Sequence, residues 1–248
     1  MQRYFVEAAN WQGDQVTLDG QDAHHINRVM RMKQGDEIIC VHPGGHAAKC
    51  RISELTAEHV VVIVSEQIDI DTEMPIAVTI AQGLPKGDKL EFIVQKGTEL
   101  GATGFVPFQA ARSVVKWDEK KKDKKRLRLE KIAKEAAEQS SRQTIPIVED
   151  VHSFQMLLEG SGTYKHKLFA YEEAAKGLKA EPLRSVFQHI SSSDNVLVVI
   201  GPEGGFSESE ADQLQEAGFA PIRLGPRILR TETAALYMLA SLSYHFEE

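Results

Sequence analysis

Val196-Leu197-Val198-Val199-Ile200-Gly201-Pro202-Glu203-Gly204-Gly205-Phe206-Ser207-Glu208-Ser209-Glu210 is the stretch whose reading decides the fold. An unbroken apolar run that ends abruptly at glycine and proline fits a buried strand running into a stiff turn. Ser207 and Glu210 then form a Ser-x-x-Glu capping box, which starts a helix. A second turn of the same kind is Leu224-Gly225-Pro226-Arg227-Ile228-Leu229-Arg230-Thr231-Glu232-Thr233-Ala234, which follows a short apolar run and opens the final helix. Either loop alone reads equally well as a tight strand-to-helix turn or as a ligand wall.

Working outward, further apolar runs at Ile76 to Gln82, Phe105 to Phe108, Ile147 to Val151, Lys167 to Tyr171 and Ile222 to Leu224 alternate with amphipathic segments. That alternation predicts an α/β domain with a mostly parallel sheet. A helix beginning near Asp118 places Leu129, Ile132, Ala133, Ala136, Ala137 and Ser140 on one face. The terminal helix, Thr233 to Phe246, has little polar face and is expected to be buried on several sides or at a subunit interface. The first 72 residues differ in texture, with short β-rich segments separated by Gly20, Gly35-Asp36 and Pro43-Gly44-Gly45, and one helical stretch from His24 to Met32. They predict a small β-barrel, with Asp69 to Pro75 as the linker.

Composition narrows the chemistry. Cys40 and Cys50 are the only cysteines and fit neither a metal knuckle nor a disulfide framework, and the 9 histidines show no ligand spacing, so no metal is expected. No stretch approaches the length of a membrane helix, and the start lacks a signal peptide's apolar core, so a cytoplasmic protein is expected. The net charge of -7 is unevenly spread. Residues 1–72 carry 6 Lys+Arg against 11 Asp+Glu, residues 84–142 carry 15 against 9, and the remainder 8 against 16. The middle is basic, which reads either as a solvated helix face or as a surface for a polyanion.

Standard phosphate signatures are missing: there is no Gly-x-Gly-x-x-Gly and no Gly-x-x-x-x-Gly-Lys-Ser/Thr. A Gly-x-Ser-x-Gly nucleophile elbow is missing too. Glu203, Glu208 and Glu210 place carboxylates where a helix N-terminus would receive phosphate, so a neutral or cationic ligand is expected at the first loop.

The two loops, together with Gln95-Lys96-Gly97-Thr98-Glu99-Leu100-Gly101, Glu135-Ala136-Ala137-Glu138-Gln139-Ser140-Ser141-Arg142, and His24-His25 with Arg28, Arg31 and Gly35-Asp36, resemble the RsmE family of 16S ribosomal RNA uridine-N3 methyltransferases over nearly the whole chain. The resemblance implies a PUA-like β-barrel RNA-binding domain over residues 1–72. It implies a SPOUT α/β methyltransferase domain with a C-terminal trefoil knot over 73–248. It also implies a homodimer, S-adenosylmethionine as methyl donor, and 16S RNA of the small ribosomal subunit as partner. On this reading the cofactor lies against Phe169, Ala170, Tyr171, Ile200, Gly201, Gly204, Leu224, Gly225, Ile228, Leu229 and Thr233. Arg230 is the candidate for stabilising a uridine anion, Glu232 for base or orienter of that arginine, and Glu203 for the alternative carboxylate; Glu232 reads equally as a first-turn residue favouring the helix dipole. Arg3, His24, His25, Arg28, Arg31, Lys96, Arg112 and Arg142 are candidates for gripping RNA. A methyltransferase acting on another RNA position and a non-catalytic RNA-binding assembly factor are the competing readings.

Overall fold

The computed structural model describes residues 1–69, 71–171 and 180–248; Ile70, inside the expected linker, and residues 172–179 lie outside the described residues. The chain divides into two compact units: Met1–Glu73 with Ala137–Thr144, and Met74–Ala136 with Ile145–Glu248.

In the first unit the strands are β1 (Arg3–Phe5), β2 (Trp11–Gln12), β3 (Gln15–Asp19), β4 (Glu37–Val41), β5 (Ala47–Leu55) and β6 (His59–Ile68), in the sheet order β1-β4-β5-β6-β3-β2. Only β1 and β4 run parallel; the remaining pairs are antiparallel. Alternating side chains such as Val16, Leu18, Ile38, Cys40, Cys50, Ile52, Val60 and Val62 form the core, as the period of two requires. Both cysteines are buried within it. The helical stretch differs from the expectation. It starts at Gly20 as α1 (Gly20–His24) and continues over His25–Val29 as a wide π-turn, closed by Met30 N–H donating to the His25 carbonyl at 2.9 Å.

In the second unit the strands are β7 (Ala77–Gly83), β8 (Gly104–Gln109), β9 (Ile147–Val148), β10 (His152–Ser153), β11 (His166–Ala170), β12 (Glu181–Pro182), β13 (Asn195–Ile200) and β14 (Ala220–Arg223). Their order is β10-β8-β7-β13-β11-β14-β12, with β9 beside β8, and every pairing is parallel. The helices are α2 (Lys89–Glu99), α3 (Glu119–Gln139), α4 (Phe154–Gly160), α5 (Leu183–Phe187), α6 (Glu208–Glu216) and α7 (Thr231–Glu247). The apolar run that decided the fold serves both faces of the sheet. Val196, Val198 and Ile200 pack with Leu90, Ile93, Met238 and Leu239 of α2 and α7, whereas Leu197 and Val199 pack with Leu157, Ala211 and Leu214 of α4 and α6. Double coverage of this kind is why a parallel strand reads as continuous apolar sequence rather than as alternation. α7 is buried along Ala234, Ala235, Met238, Leu239 and Leu242 but exposes Tyr237 and Tyr244. Among the described residues no helix is long and apolar enough to cross a membrane.

The basic middle carries less open charge than its count implies. Arg126 pairs with Glu130 and, at 3.0 Å, with Asp150, while Arg128 meets Glu91 at 2.7 Å and Lys96 meets Glu99 at 2.7 Å.

Candidate functional site

Strand order changes direction about β13, since β7 and β8 lie on one side and β11 and β14 on the other. Ligands of open α/β sheets bind beyond the carboxyl ends of strands at such a point. There the second unit holds a cavity of about 960 Å³, lined by the ends of β11, β13 and β14 and by both loops. Ala170, Tyr171, Ile200, Gly201, Gly204, Leu224, Gly225, Ile228, Leu229, Glu203 and Arg230 all line it, so residues chosen 60 positions apart in sequence share one wall system.

Its rigidity has identifiable sources. Thr231, buried at the start of α7, donates its hydroxyl to the Gly201 carbonyl at 2.6 Å and accepts from Gln82 Nε2 at 2.8 Å. This ties the first loop to the second through the end of β7. Glu210 completes the capping box with Ser207 and also accepts the Ala111 N–H at 2.7 Å, which fixes the segment bearing Arg112. Arg112 donates to the Gly204 carbonyl at 3.1 Å, and a Cβ on Gly204 would stand 2.9 Å from the Arg112 Cβ, so glycine is needed for that approach. Gly225 adopts φ +85°, the left-handed region that glycine tolerates. Thr231→Val removes two hydrogen bonds at once, leaving the Gly201 carbonyl only the 3.4 Å contact from Gln82 Nε2, whose amide keeps the Gly83 carbonyl at 3.0 Å. It is expected to cost about 1–3 kcal/mol, read from urea unfolding.

The polar end of the cavity is organised by Lys89, which sequence reading passed over. Its Nζ lies 3.0 Å from Glu203 Oε1 and 3.1 Å from Glu232 Oε2, so one ammonium joins the first loop to the first turn of α7. The hydrogen bond to Glu203 and then the adjacent Glu232 carboxylate hold the Lys89 ammonium above the ordinary lysine range. Burial alone would push the Glu203 carboxyl up, but its own backbone N–H, that of Lys86 and the Lys89 ammonium outweigh it and hold the group below the usual range. Nothing in linear spacing links residues 89, 203 and 232. The one available signal was that Lys89 opens α2, directly after the turn that leaves β7.

Several expectations are corrected by position. Phe169 is fully buried behind the wall, edge-on to Phe206 at 6.0 Å, and supports the cavity without lining it. Thr233 is exposed and outside the lining; the hydroxyl that matters is two residues earlier, at Thr231. Lys96 is paired on α2 and also lies outside the lining. Of the carboxylates expected at the first loop, Glu203 alone lines the cavity. Glu210 is turned inward to its cap, and the lining contains Lys89, Arg112, Arg223, Arg227 and Arg230 against Glu203. The mouth is therefore basic, and suits a polyanion.

In the first unit Arg28, Val29, Met30 and Arg31 are consecutive exposed residues, with His24 exposed on the same short helix. His25 differs from His24: it is half-buried, and its Nδ1 lies 2.9 Å from the buried Tyr4 hydroxyl. Arg3 is half-buried and donates to the Arg142 carbonyl at 3.1 Å. Arg142 does not present charge to a phosphate. It is 2% exposed, and its guanidinium is enclosed by Glu73 and Thr144.

The RNA methyltransferase domain family model matches residues 72–243, and the RNA methyltransferase PUA domain model matches 18–65. The ribosomal RNA small subunit methyltransferase E of Bacillus subtilis is 49% identical over 250 residues, spanning 100% of this chain and 98% of that protein. The chain belongs to the ribosomal RNA small subunit methyltransferase E family. A crystal structure of a family member from Neisseria gonorrhoeae bound to S-adenosyl methionine is 29% identical with TM-score 0.85, covering 99% of this chain and 98% of that one. A putative methyltransferase from Legionella pneumophila, in complex with bound SAM, is 28% identical with TM-score 0.86, covering 98% and 97%. Family membership accounts for both architectural expectations, a PUA-type first domain and an α/β methyltransferase domain with a parallel sheet.

Proposed function

We propose that this protein transfers the methyl group of S-adenosylmethionine to N3 of a specific uridine in 16S RNA of the small ribosomal subunit, acting in the cytoplasm as a homodimer. The observation that carries the reading is the single cavity that both loops build at the carboxyl ends of β11, β13 and β14. Its volume is that of a small-molecule site. Ile200, Leu224, Leu229 and Ala234 offer apolar walls for an adenine, the loop backbones offer N–H and C=O groups for its edges, and the carboxylate of Glu203 suits a sulfonium. A bound donor supplies an electrophilic methyl group. The residues have to align a nucleophile with it and exclude water. Arg230 and Glu203 line the cavity, and Glu232, outside the lining, reaches it through Lys89; a uridine that loses its N3 proton needs stabilisation there. The basic mouth fits an approaching RNA strand whose target base is unstacked into the site. The knotted threading implied by the family resemblance belongs to this proposal, as does dimerisation through α7, whose Tyr237 and Tyr244 remain exposed.

Arg28, Arg31 and His24 are assigned to RNA contact in the first unit, together with Arg112 and Arg230 at the cavity mouth. Replacing Arg28 and Arg31 by alanine is expected to weaken RNA binding and to reduce the slope of log affinity against log salt by about 1.5–2, with the affinity for S-adenosylmethionine unchanged. The function itself is tested by mass spectrometry of 16S RNA from cells with and without the gene. Loss of one 3-methyluridine on deletion, restored by the wild-type chain, is the expected result. An unchanged methylation pattern would remove the substrate assignment.

A further inference from the structure

Lys89 and Arg230 both line the cavity, and their surroundings distinguish them. Arg230 is the exposed residue preceding α7, and among the described residues no hydrogen bond or ion pair holds its guanidinium. Lys89 is clamped between Glu203 of the first loop and Glu232 of α7, with Glu203 in turn held by the Lys86 N–H at 3.1 Å. Electrostatic catalysis depends on groups fixed before the reaction, because a group that must first be ordered gives part of its stabilisation to that ordering. We propose that Lys89 is the catalytic residue that stabilises the uridine anion, donating to a uracil carbonyl oxygen beside N3, and that Glu203 and Glu232 are positioning residues for it rather than general bases.

The inference rests on the N3-methylation reading and assigns roles within that site. Two further observations support it. A general base works best with a pKa near the working pH, and the Glu203 carboxyl is held in the opposite direction. The ammonium, conversely, is held in its charged form, so it donates and does not accept. The triad carries one positive and two negative charges, and the ammonium keeps a third N–H beyond the two that face its carboxylates. In the reaction the N3–H bond breaks, its electron pair stays on N3, and the proton passes to water. That pair then forms the N3–CH3 bond while the pair of the broken S–CH3 bond returns to sulfur, giving a neutral thioether.

The test is single-turnover methyl transfer to small-subunit RNA as a function of pH, with S-adenosylmethionine affinity measured separately by calorimetry. Lys89→Gln is expected to bind the donor within about threefold of wild type and to lose about 10²- to 10³-fold in rate at neutral pH, the range seen when one oxyanion donor is removed. Its deficit should shrink at alkaline pH, where uridine ionises without help, and Lys89→Arg should recover part of the rate. Glu203→Gln and Glu232→Gln should each lose about tenfold or less, because the other carboxylate still holds the lysine, and the double variant should approach Lys89→Gln. A Lys89→Gln enzyme with the wild-type rate and pH profile overturns the inference. So does a Glu232→Gln enzyme as impaired alone as Lys89→Gln, which is the signature of a base. If wild type places its methyl on an atom other than uridine N3, the functional reading falls and takes this assignment with it. N3 methylation that is indifferent to Lys89 removes this assignment alone.

Discussion

Arg142→Ala is expected to destabilise the first unit by about 3–5 kcal/mol, the cost of leaving a buried charge without its partner. The Arg142 side chain is 3% exposed and that of Glu73 is 18% exposed. Glu73 accepts from Arg142 and also from the backbone N–H groups of Gln143 at 2.9 Å and Thr144 at 3.2 Å, while Thr72 donates to the Ser141 carbonyl at 2.9 Å. The pair therefore fastens residues 137–144 to the end of the 1–73 segment through contacts some 70 positions apart in sequence. Removing the guanidinium alone strands a carboxylate that burial already penalises. Replacing both partners, as in Glu73→Leu with Arg142→Met, should recover much of the loss, since the penalty lies in the orphaned charge more than in the pair.

The pH dependence of the same contact has a defined sign. Burial acts to raise the Glu73 carboxyl, but Arg142, the Gln143 N–H and Thr144 together hold it below the usual carboxylate range in the folded chain. Its contribution to stability is thus fully present above the unfolded value and is lost as pH falls through the folded one. The gap between wild type and Arg142→Ala, measured by urea unfolding at a series of pH values, should narrow on acidification. A gap that stays constant, or a loss under about 1 kcal/mol at neutral pH, would show that the pair contributes little.

How legible all this was depended on the range of the signal. The parallel sheet was readable because burial on both faces makes Val196 to Ile200 continuously apolar, and α6 was readable because Ser207 and Glu210 cap it within four residues. α3 begins one residue past Asp118, and its Leu129, Ala133, Ala136 and Ala137 are buried as the helical period required. Each loop, a glycine-bearing turn after a strand, reads equally as a plain turn or a ligand wall, and the family resemblance is what joined the two as walls of one site. Apart from Phe169, Thr233 and the start of the first helix, the failures share a cause: they concern what a charged side chain meets across the fold. Arg142, a candidate for gripping RNA on the resemblance, meets Glu73 instead. Lys89 carried no motif, and its partners are more than 100 residues away. Glu210 was assigned to the ligand face when its capping box already pointed it inward. Local periodicity reports which element forms; pairing of charges is a tertiary fact.

Gly83→Val is expected to weaken ligand binding in the cavity by about tenfold or more while leaving the fold in place. Gly83 closes β7, and a Cβ there would stand 2.6 Å from Pro202 Cδ and 2.7 Å from Pro202 N. These are ring and backbone atoms, so no rotamer change relieves the contact, and even alanine must displace the first loop. That loop has little freedom to yield. Gly201 is held by Thr231 and Gln82, Glu203 by Lys86 and Lys89, and Gly204 by Arg112. Overpacking of this kind costs about 1–3 kcal/mol, which in a domain of this size lowers the melting temperature by several degrees without unfolding it. The functional loss should be larger, because displacing Gly201 to Gly204 moves one whole wall of the cavity. A fall of at least about tenfold in S-adenosylmethionine affinity, or about 1.4 kcal/mol, is expected by calorimetry. Gly160→Ala provides the control: nothing lies within 4 Å of its Cβ position and its φ of -72° suits any residue. That variant should match wild type in binding and gain up to about 1 kcal/mol from a stiffer unfolded chain. If Gly83→Val binds the donor as wild type does, the first loop is not a wall of the donor site, and the pairing of the two loops has only a structural meaning.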